Sequence, residues 1–373
     1  MRNFGLLQID RRILTHFDFL IPMLVIPIVA LSFYLVSEAN SILANKQIVY
    51  FTVGFATFLF FFLMPIRKLE WFIPFFYWVS VALLVSVEFF GISKLGAKRW
   101  LEIPFVHFTI QPSEILKPAF ILMLAYLIKH NPPDTEGYGW KDFFKLSFYI
   151  LLPFFLIAKE PDLGTAMVLL IVGYVTLFVI GVNKKIWIIL AIGIGISGPF
   201  LYNSLHDYQK KRILDFVSEK PSYHVKQSII AIGSGGLDGK DKVDATQTHF
   251  KFLPIATSDF IFAYYVERFG FWGALILIST YALLIVHLIT LNIKFHKDYF
   301  GQVITTAIGL LVFVYMGVNI SMTIGFAPVV GVPLPFFSYG GSSFITFMIL
   351  FGILENLITF RFDRTYKSVQ YNL

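Results

Sequence analysis

Asp259 stands directly before a long apolar and aromatic run, Phe260–Leu291, where the chain is expected to leave water and enter lipid. An ionised group at the edge of a membrane is costly and needs either a partner or a function. Two interpretations remain open. In the first, Asp259 caps the following helix by accepting hydrogen bonds from its unpaired amides. In the second, a partly buried Asp259 accepts a proton from a substrate hydroxyl or binds a cation that activates that hydroxyl.

A second candidate is the pair Glu114 and Lys117, three residues apart near the start of a predicted helix that opens with Gln111-Pro112-Ser113. This spacing places both side chains on one face, where they can neutralise each other. Such a pair inside a membrane normally faces a bundle interior or a wet cavity rather than lipid. A structural ion pair and a substrate contact are both compatible with the sequence.

Two acids, Glu160 and Asp162, lie between the fifth and sixth predicted spans. Asp162 alone suits the cap of the sixth helix. Together, the two carboxylates offer the oxygen ligands that a divalent cation such as Mg²⁺ or Mn²⁺ prefers. A metal requirement is therefore open, and the sequence implies no other cofactor.

Cationic residues cluster in the loops that the spans leave outside the lipid. Lys98, Arg99 and Trp100 lie in the first long loop, and Arg212 ends a basic run in the largest loop. Guanidinium and ammonium groups suit a lipid pyrophosphate, whereas a Trp at this depth ordinarily anchors a protein at the membrane interface. For the Arg212 cluster, the alternative is an exposed charged face.

The sequence argues against several enzyme classes. Its eight histidines show no His-x-x-x-His or comparable ligand spacing, and it contains no Gly-x-Ser-x-Gly elbow. The run Gly233-Ser234-Gly235-Gly236 lacks the Lys-Ser/Thr of a nucleotide phosphate loop. The absence of cysteine excludes disulfides and thiol nucleophiles. Zinc hydrolases, serine hydrolases and cysteine-dependent enzymes are therefore disfavoured.

The elements that position these residues are membrane helices, as the composition indicates. The 373 residues are 57% hydrophobic and 14% charged, whereas about a quarter of the residues are charged in a soluble protein. We therefore expect an all-α, polytopic integral membrane protein. The net charge of +7 is attributed to basic loops at a membrane surface rather than to nucleic-acid binding.

Hydropathy predicts about ten transmembrane helices, since roughly 20 apolar residues cross the hydrocarbon core. The fifth candidate is short and contains Pro153, so a re-entrant segment is the alternative there. The predicted spans are Asp18–Val36, Ile48–Ile66, Trp71–Gly91, Pro112–Ile128, Leu146–Ala158, Leu163–Val182, Ile186–Leu201, Phe260–Leu291, Gly301–Met322 and Phe344–Phe360.

The distribution of basic residues predicts that both termini are cytoplasmic. With this orientation the short inner segments carry most of the Lys and Arg, as the positive-inside rule requires. Omitting the fifth span would place Lys184–Lys185 and Lys294–Lys297 outside. An even number of crossings, with the fifth span included, is therefore favoured.

Every long loop then falls on the outer side of the membrane. We expect one transmembrane domain, 1–373, with a large extracytoplasmic loop, 203–259, between the seventh and eighth spans. A connection of this length is usually functional or disordered. Helix-like stretches at 207–216 and 223–232 favour an ordered cap over the membrane.

A series of motifs follows one order along the chain: Gly96–Trp100, Gln111–Lys117, Glu160–Thr165, Ala231–Leu237, Ser258–Ala263 and Gly331–Ser343. Each motif alone is a weak signal. Together they closely resemble the SEDS (shape, elongation, division and sporulation) family, from the first outer loop to the last span. The segments around Thr246 and Val329–Pro333 are more similar to the rod-shape branch of the family than to its division branch.

The resemblance implies a peptidoglycan glycosyltransferase that polymerises lipid II on the outer face of the bacterial cytoplasmic membrane during cell elongation. Asp259 matches the essential outer-loop aspartate of the family. It would take the proton from the attacking hydroxyl or bind a cation that activates this hydroxyl. The outer cations would hold the pyrophosphate leaving group.

The resemblance also implies partners and substrate-binding positions. The partners are lipid II, the lipid-linked glycan strand, a class B penicillin-binding protein that supplies the transpeptidase, and other membrane proteins of the elongation complex. No nucleic-acid partner is expected. The substrate-binding positions are Lys98, Arg99, Trp100, Glu114, Lys117, Asp162, Arg212 and Ser338.

The chain departs from the family pattern beside the key acid. Where relatives commonly have Pro-Glu-Arg-His-Thr-Asp, this sequence has Pro-Ile-Ala-Thr-Ser-Asp, ending at Asp259. Ile255 and Thr257 therefore lack the charged or basic groups usual there, and Arg268 stands where a second Glu is usual. The roles of those neighbours do not carry over to this chain.

Two rival functions remain open. A transporter or lipid flippase suits broken helices and intramembrane charges, although alternating access needs comparable polar groups at both mouths and the inner side has only short basic turns. A non-catalytic scaffold of the wall-synthesis complex is the other rival. Product formation from lipid II by the purified protein would separate the enzyme from both.

Overall fold

Apolar helices of membrane-spanning length dominate the fold. The computed structural model describes residues 15–94, 97–103, 108–160, 162–203, 210, 222–250, 252–253, 255–296 and 298–361. In chain order the helices are α1 (Leu20–Ala39), α2 (Ser41–Leu63), α3 (Ile73–Phe90), α4 (Pro112–His130), α5 (Trp140–Lys159), α6 (Leu163–Ile180), α7 (Lys184–Asn203), α8 (Tyr223–Gly235), α9 (Thr246–His249), α10 (Ile261–Thr290), α11 (Tyr299–Thr323) and α12 (Gly341–Thr359). Short 3₁₀ turns cover Ile66–Lys68, Glu70–Phe72 and Leu291–Phe295.

Within the described residues, seven helices are long and apolar enough to cross a membrane. They are α1, α2, α3, α6, α10, α11 and α12. The chain is therefore a multi-pass helical membrane protein. Helices α4, α5 and α7 have 19, 20 and 20 residues, and their crossing of the membrane stays a prediction.

The first outer loop corrects the prediction of an all-α fold. It forms a three-stranded antiparallel sheet from β1 (Ile92–Lys94), β2 (Ala97–Ile103) and β3 (Phe108–Ile110). Ile92 pairs with Trp100, and Leu101 pairs with Ile110. β1 and β3 have only three residues each, and in β2 the adjacent polar residues Lys98 and Arg99 interrupt the alternation that marks a strand.

Helix α5 begins earlier than predicted, at Trp140 instead of Leu146. Its first turns carry Lys141, Asp142 and Lys145, which lower the hydropathy of a segment that is nevertheless helical. Pro153 lies inside the helix and does not end it. The helix is therefore as long as its neighbours, and the length of its apolar run underestimated the length of the helix.

The large outer loop is packed against the ends of the membrane helices. Helix α8 confirms the second predicted helix of this loop, whereas the first, at 207–216, lies outside the described residues except for Lys210. A Cβ on Gly235 would lie 2.2 Å from the carbonyl oxygen of Val266, so α8 packs directly on the α10 backbone. The Ser228 hydroxyl donates to the carbonyl of Thr323 at 2.7 Å, which ties α8 to α11.

Helix α10 is interrupted at Gly270, which has φ 64° and ψ −163°. A Cβ there would lie 2.4 Å from backbone atoms of Leu237 and Gly239, so the close approach of the loop requires glycine. Before the break, residues 261–267 are all buried. After it, one side of the helix is exposed, with Ile276 at 63%, as expected for a surface that faces lipid.

Candidate functional site

Asp259 lies in a turn formed by residues 255–260, immediately before α10. The side chain of Asn319 in α11 holds this turn in place. The Asn319 amide donates to the carbonyl of Asp259 at 3.0 Å and to the carbonyl of Val332 at 2.8 Å. The buried Asn319 side chain therefore joins the turn that carries Asp259 to the loop that precedes α12.

The loop that precedes α12 also forms hydrogen bonds with this turn. The Ser338 hydroxyl donates to the carbonyl of Ser258 at 2.7 Å and accepts from the amide of Leu334 at 2.7 Å. The amide of Tyr339 donates to the carbonyl of Thr257 at 2.8 Å. The predicted substrate contact Ser338 thus has backbone partners on both sides, and these contacts position the turn.

The Asp259 carboxylate is half-buried and does not cap α10. The helix has Phe260 at its N-cap position and no side-chain capping bond, so the capping interpretation is wrong. Burial raises the pKa of Asp259, while a hydrogen bond with Ser258 and the positive charge of Arg99 partly offset this effect. A carboxylate with a raised pKa is a better proton acceptor near neutral pH than an ordinary aspartate.

Gly331 leaves room beside that carboxylate. Its φ of 70° is the left-handed conformation that glycine adopts without strain. A Cβ at this position would lie 3.6 Å from Oδ2 of Asp259. The glycine therefore keeps the loop close to the acid without covering it with a side chain.

Arg99 connects the sheet to the α5–α6 connection. Its Nη1 lies 3.7 Å from Oδ1 of Asp162, and its Nε donates to the carbonyl of Glu160 at 3.2 Å. Asp162 also accepts from the amide of Thr165 at 3.3 Å and from the Gln111 amide at 3.3 Å. Asp162 is therefore the cap of α6, as one interpretation of the sequence predicted, and it also fixes Arg99.

Glu160 holds a buried carboxyl group within the same set of charges. Among the described residues, neither of its carboxylate oxygens has a hydrogen-bond partner. Burial, followed by the negative charge of Asp162, raises the pKa of Glu160 to about 8, and Arg99 lowers it only in part. This shift favours the protonated form of Glu160 at neutral pH.

The divalent-cation hypothesis gains no support from this geometry. In the part of the chain that the structure describes, no three His, Cys, Asp or Glu side chains are placed to hold a metal ion. A metal requirement stays an untested prediction.

Glu114 and Lys117 form an ion pair in the bundle interior. The Lys117 ammonium donates to Glu114 at 2.6 Å, and the Lys117 and Glu114 side chains are 1% and 9% exposed. The ammonium also lies 5.0 Å from the centre of the Tyr315 ring, and Thr346 donates to the carbonyl of Glu114. The pair therefore joins α4 to α11 and α12, as expected for charges that face a bundle interior.

The remaining predicted positions do not gather around Asp259 as a group. The Lys98 ammonium donates to the carbonyl of Glu88 at 2.6 Å, at the outer end of α3, whereas the neighbouring Arg99 contacts the α5–α6 connection. Trp100 is partly buried and pairs with Ile92 in the sheet. Arg212 lies outside the described residues.

The structure also explains Arg268, which departs from the family pattern. Its guanidinium pairs with Glu38 at the end of α1 at 2.6 Å, with both side chains at most 10% exposed. It also donates to the carbonyl of Lys240. The adjacent Glu267 is fully buried and accepts from the amide and hydroxyl of Thr248, which holds α9.

Comparison with known proteins agrees with the motifs. Residues 8–362 match the sequence model of the FtsW/RodA/SpoVE family, described as cell cycle proteins. The chain is 56% identical over 362 residues to the peptidoglycan glycosyltransferase MrdB of Helicobacter pylori, covering 97% of this chain and 95% of that protein. It is 38% identical over 309 residues to MrdB of Escherichia coli, covering 80% of each.

Solved structures share the fold. A chain from a peptidoglycan synthase complex that coordinates polymerization and crosslinking has a TM-score of 0.80, 24% identity, and coverage of 93% of this chain and 98% of its own. The Thermus thermophilus rod shape determining protein RodA superposes with a TM-score of 0.69, with the same identity and coverage. The chain therefore belongs to the FtsW/RodA/SpoVE family of cell cycle proteins, the SEDS family that its motifs predicted.

Proposed function

We propose that this protein is a peptidoglycan glycosyltransferase that polymerises lipid II during cell elongation. The relatives named MrdB, at 56% and 38% identity, support the activity. The observation that carries the assignment to a site is Asp259. It is a half-buried acid with a raised pKa, in a turn fixed by Asn319 and Ser338 and influenced by the charge of Arg99.

The proposed reaction joins two lipid-linked saccharides. Asp259 accepts the proton of the acceptor hydroxyl as the hydroxyl oxygen bonds to the anomeric carbon of the donor. The bond from that carbon to the lipid diphosphate breaks, and the diphosphate leaves with the electron pair. Arg99, held by Asp162, supplies positive charge for the departing diphosphate.

The location of the reaction is also part of the proposal. The excess of basic residues in the short connections at the opposite ends of the helices supports an orientation with Asp259 at the outer face of the bacterial cytoplasmic membrane. In this orientation all ten long helices cross the membrane and both termini are cytoplasmic. Nucleotide-activated sugars are absent there, so the donor must arrive already activated on a lipid.

The proposed partner is a class B penicillin-binding protein that crosslinks the product. Its support is the fold shared with a chain of a complex that couples polymerization to crosslinking. Other membrane proteins of the elongation complex are further proposed partners. A polymerisation assay with and without the transpeptidase measures whether this chain is active alone.

The decisive experiment is lipid II polymerisation by purified Asp259→Asn protein. Loss of the base is expected to lower the rate by about 10²–10⁴-fold. Asp238→Asn, at an exposed position of the outer loop, is the matched control and is expected to retain the wild-type rate. A correctly folded Asp259→Asn protein with normal polymerisation would end the assignment.

The same preparation distinguishes the rival functions. A flippase would scramble labelled lipid II across proteoliposomes without forming polymer, and a scaffold would do neither. Addition of a chelator tests the divalent-cation prediction. The proposed enzyme forms polymer from lipid II, and Asp259→Asn blocks this step without changing lipid transport.

A further inference from the structure

A cavity of about 420 Å³ lies on the outer side of the protein, between the α1–α2 junction and the large loop. Its volume is within the range of small-molecule sites, roughly 300–1,000 Å³. The proposed reaction as described above does not use it. The side chains that matter for its chemistry are Glu38, Asn40, Lys242, His249, Ile255 and Thr257.

The 255–260 turn lines this cavity through residues 255–257. The carbonyl oxygen of Thr257 also accepts a hydrogen bond from the amide of Tyr339, in the loop before α12. Two residues later, Asp259 lies beside Gly331 of that loop. A ligand in the cavity would therefore adjoin the turn that carries Asp259.

Ile255, in the wall of the cavity, has a strained backbone. Its φ of 54° lies in the left-handed region, which is unfavourable for a β-branched residue. Strain of this kind concentrates at ligand-binding and catalytic sites. The Ile255 side chain is 52% exposed and forms part of the cavity lining.

The lining combines a fixed acceptor with apolar and cationic groups. The Glu38 carboxylate is immobilised by Arg268 at 2.6 Å and by the Tyr264 hydroxyl at 3.0 Å. Ile255 adds apolar surface, and Lys242 brings positive charge to the exposed rim. Polar acceptors beside an apolar wall suit a sugar ring, and a cationic rim suits a carboxylate attached to that ring.

We propose that this cavity binds the saccharide of the acceptor substrate, with the acidic peptide of the muramyl sugar directed towards Lys242 and His249. The inference rests on the proposed function. Arg99 suits the diphosphate of the donor, so the cavity formed by residues 255–257 of the same turn is left for the acceptor. The acceptor hydroxyl would then have to reach Asp259, two residues beyond Thr257.

The test fills the cavity with a larger side chain at the end of α1. Ala39 is exposed at the end of α1 and lines the cavity, so Ala39→Trp occupies its volume. The matched control is Asn45→Trp, which adds the same side chain at an exposed position of α2 outside the lining. The probes are lipid II in a polymerisation assay and a soluble GlcNAc–MurNAc-pentapeptide in a calorimetric binding assay with the full chain.

Ala39→Trp is expected to raise KM for lipid II and the Kd of the soluble probe by about tenfold, roughly 1.4 kcal/mol, with kcat little changed. Asn45→Trp is expected to match the wild type in both assays. A combined Lys242→Ala and His249→Ala variant should weaken binding of the disaccharide-pentapeptide but not of the peptide-free disaccharide. Unchanged KM and Kd for a folded Ala39→Trp protein would overturn the inference.

Asp259→Asn separates this inference from the proposed function. If Asp259→Asn abolishes polymerisation while Ala39→Trp leaves KM and Kd unchanged, the enzyme assignment stands and the acceptor site is refuted. If the wild type binds the probe and Ala39→Trp weakens this binding, yet no polymer forms, the site stands and the proposed function is refuted. Asp259→Asn protein should still bind the soluble probe.

Discussion

Replacing Glu160 with glutamine is expected to remove a pH-dependent loss of stability. In the folded protein, burial and the charge of Asp162 raise the pKa of Glu160 from 4.5 to about 8. In the unfolded chain the pKa returns to its ordinary value. Between these two pH values the folded protein holds a proton at Glu160 that the unfolded chain has released.

The sign of the effect follows from this difference in bound protons. Where the folded state binds more protons, the free energy of unfolding falls as the pH rises. Below pH 4.5 both states are protonated, and above about pH 8 both are ionised, so the slope is confined to the interval between them. At alkaline pH the free energy of unfolding is lowered by the full cost of burying an unpaired carboxylate.

The slope has a calculable size. One proton corresponds to about 1.4 kcal/mol per pH unit. Solvent screening of a side chain that is not fully buried reduces the pKa shift, so it narrows the pH interval over which this slope applies. Glu160→Gln keeps the shape of the side chain and cannot ionise, so this contribution disappears from the variant.

The measurement is the free energy of unfolding in mixed detergent–SDS micelles, followed by the fluorescence of the six tryptophans. Wild type and Glu160→Gln are compared at pH 5.5, 6.5 and 7.5, where the difference in stability should grow in favour of the variant. Glu136→Gln, at an exposed loop position, is the control and should parallel the wild type. Parallel curves for wild type and Glu160→Gln would refute the burial argument.

Three further sets of substitutions test contacts in and around the site. Lys117→Met leaves Glu114 buried without its partner and should cost about 3–5 kcal/mol of stability, most of it recovered by adding Glu114→Gln. Reversing either Glu38 or Arg268 alone should destabilise the loop, whereas Glu38→Arg combined with Arg268→Glu should recover at least about 1 kcal/mol in a double-mutant cycle. Gly164→Ala places a Cβ 2.6 Å from a backbone carbonyl of the facing loop, so thermal melts should show a loss of about 1–3 kcal/mol.

Each of these predictions has an outcome that contradicts it. Additive effects of the paired substitutions would show that the two ion pairs contribute no coupling energy. For the glycine, Gly317→Ala in α11 is the control, because a Cβ there meets no atom within 4 Å. Equal stability of the two alanine variants would mean that the loop before α12 accommodates the added methyl group.

The course of the membrane helices was largely predictable, because long apolar runs leave few alternatives to a spanning helix. The errors occurred where hydropathy carries no information. Charged residues in the first turns of α5 hid its start at Trp140. Two strands of the first long loop have three residues each, and the third, β2, does not alternate polar and apolar residues, so the loop was predicted without them.

The site was predictable only in part, for a similar reason. The sequence indicated Asp259, Asp162 and the Glu114–Lys117 pair as unusual charges near spans. Nothing in their spacing could show that Arg99 contacts Asp162, or that Glu38 pairs with Arg268, a residue 230 positions away. Such contacts depend on how the helices pack, and a single sequence does not encode that packing in a readable pattern.

The break at Gly270 determines which part of α10 responds to the bilayer. An unbroken helix of 30 residues would be about 45 Å long, well beyond a hydrocarbon thickness of about 30 Å. Residues 271–290 match that thickness by themselves, while residues 261–267 are enclosed by protein. A host membrane of different thickness would therefore tilt residues 271–290 and leave the turn that carries Asp259 in place against the helices and loops around it.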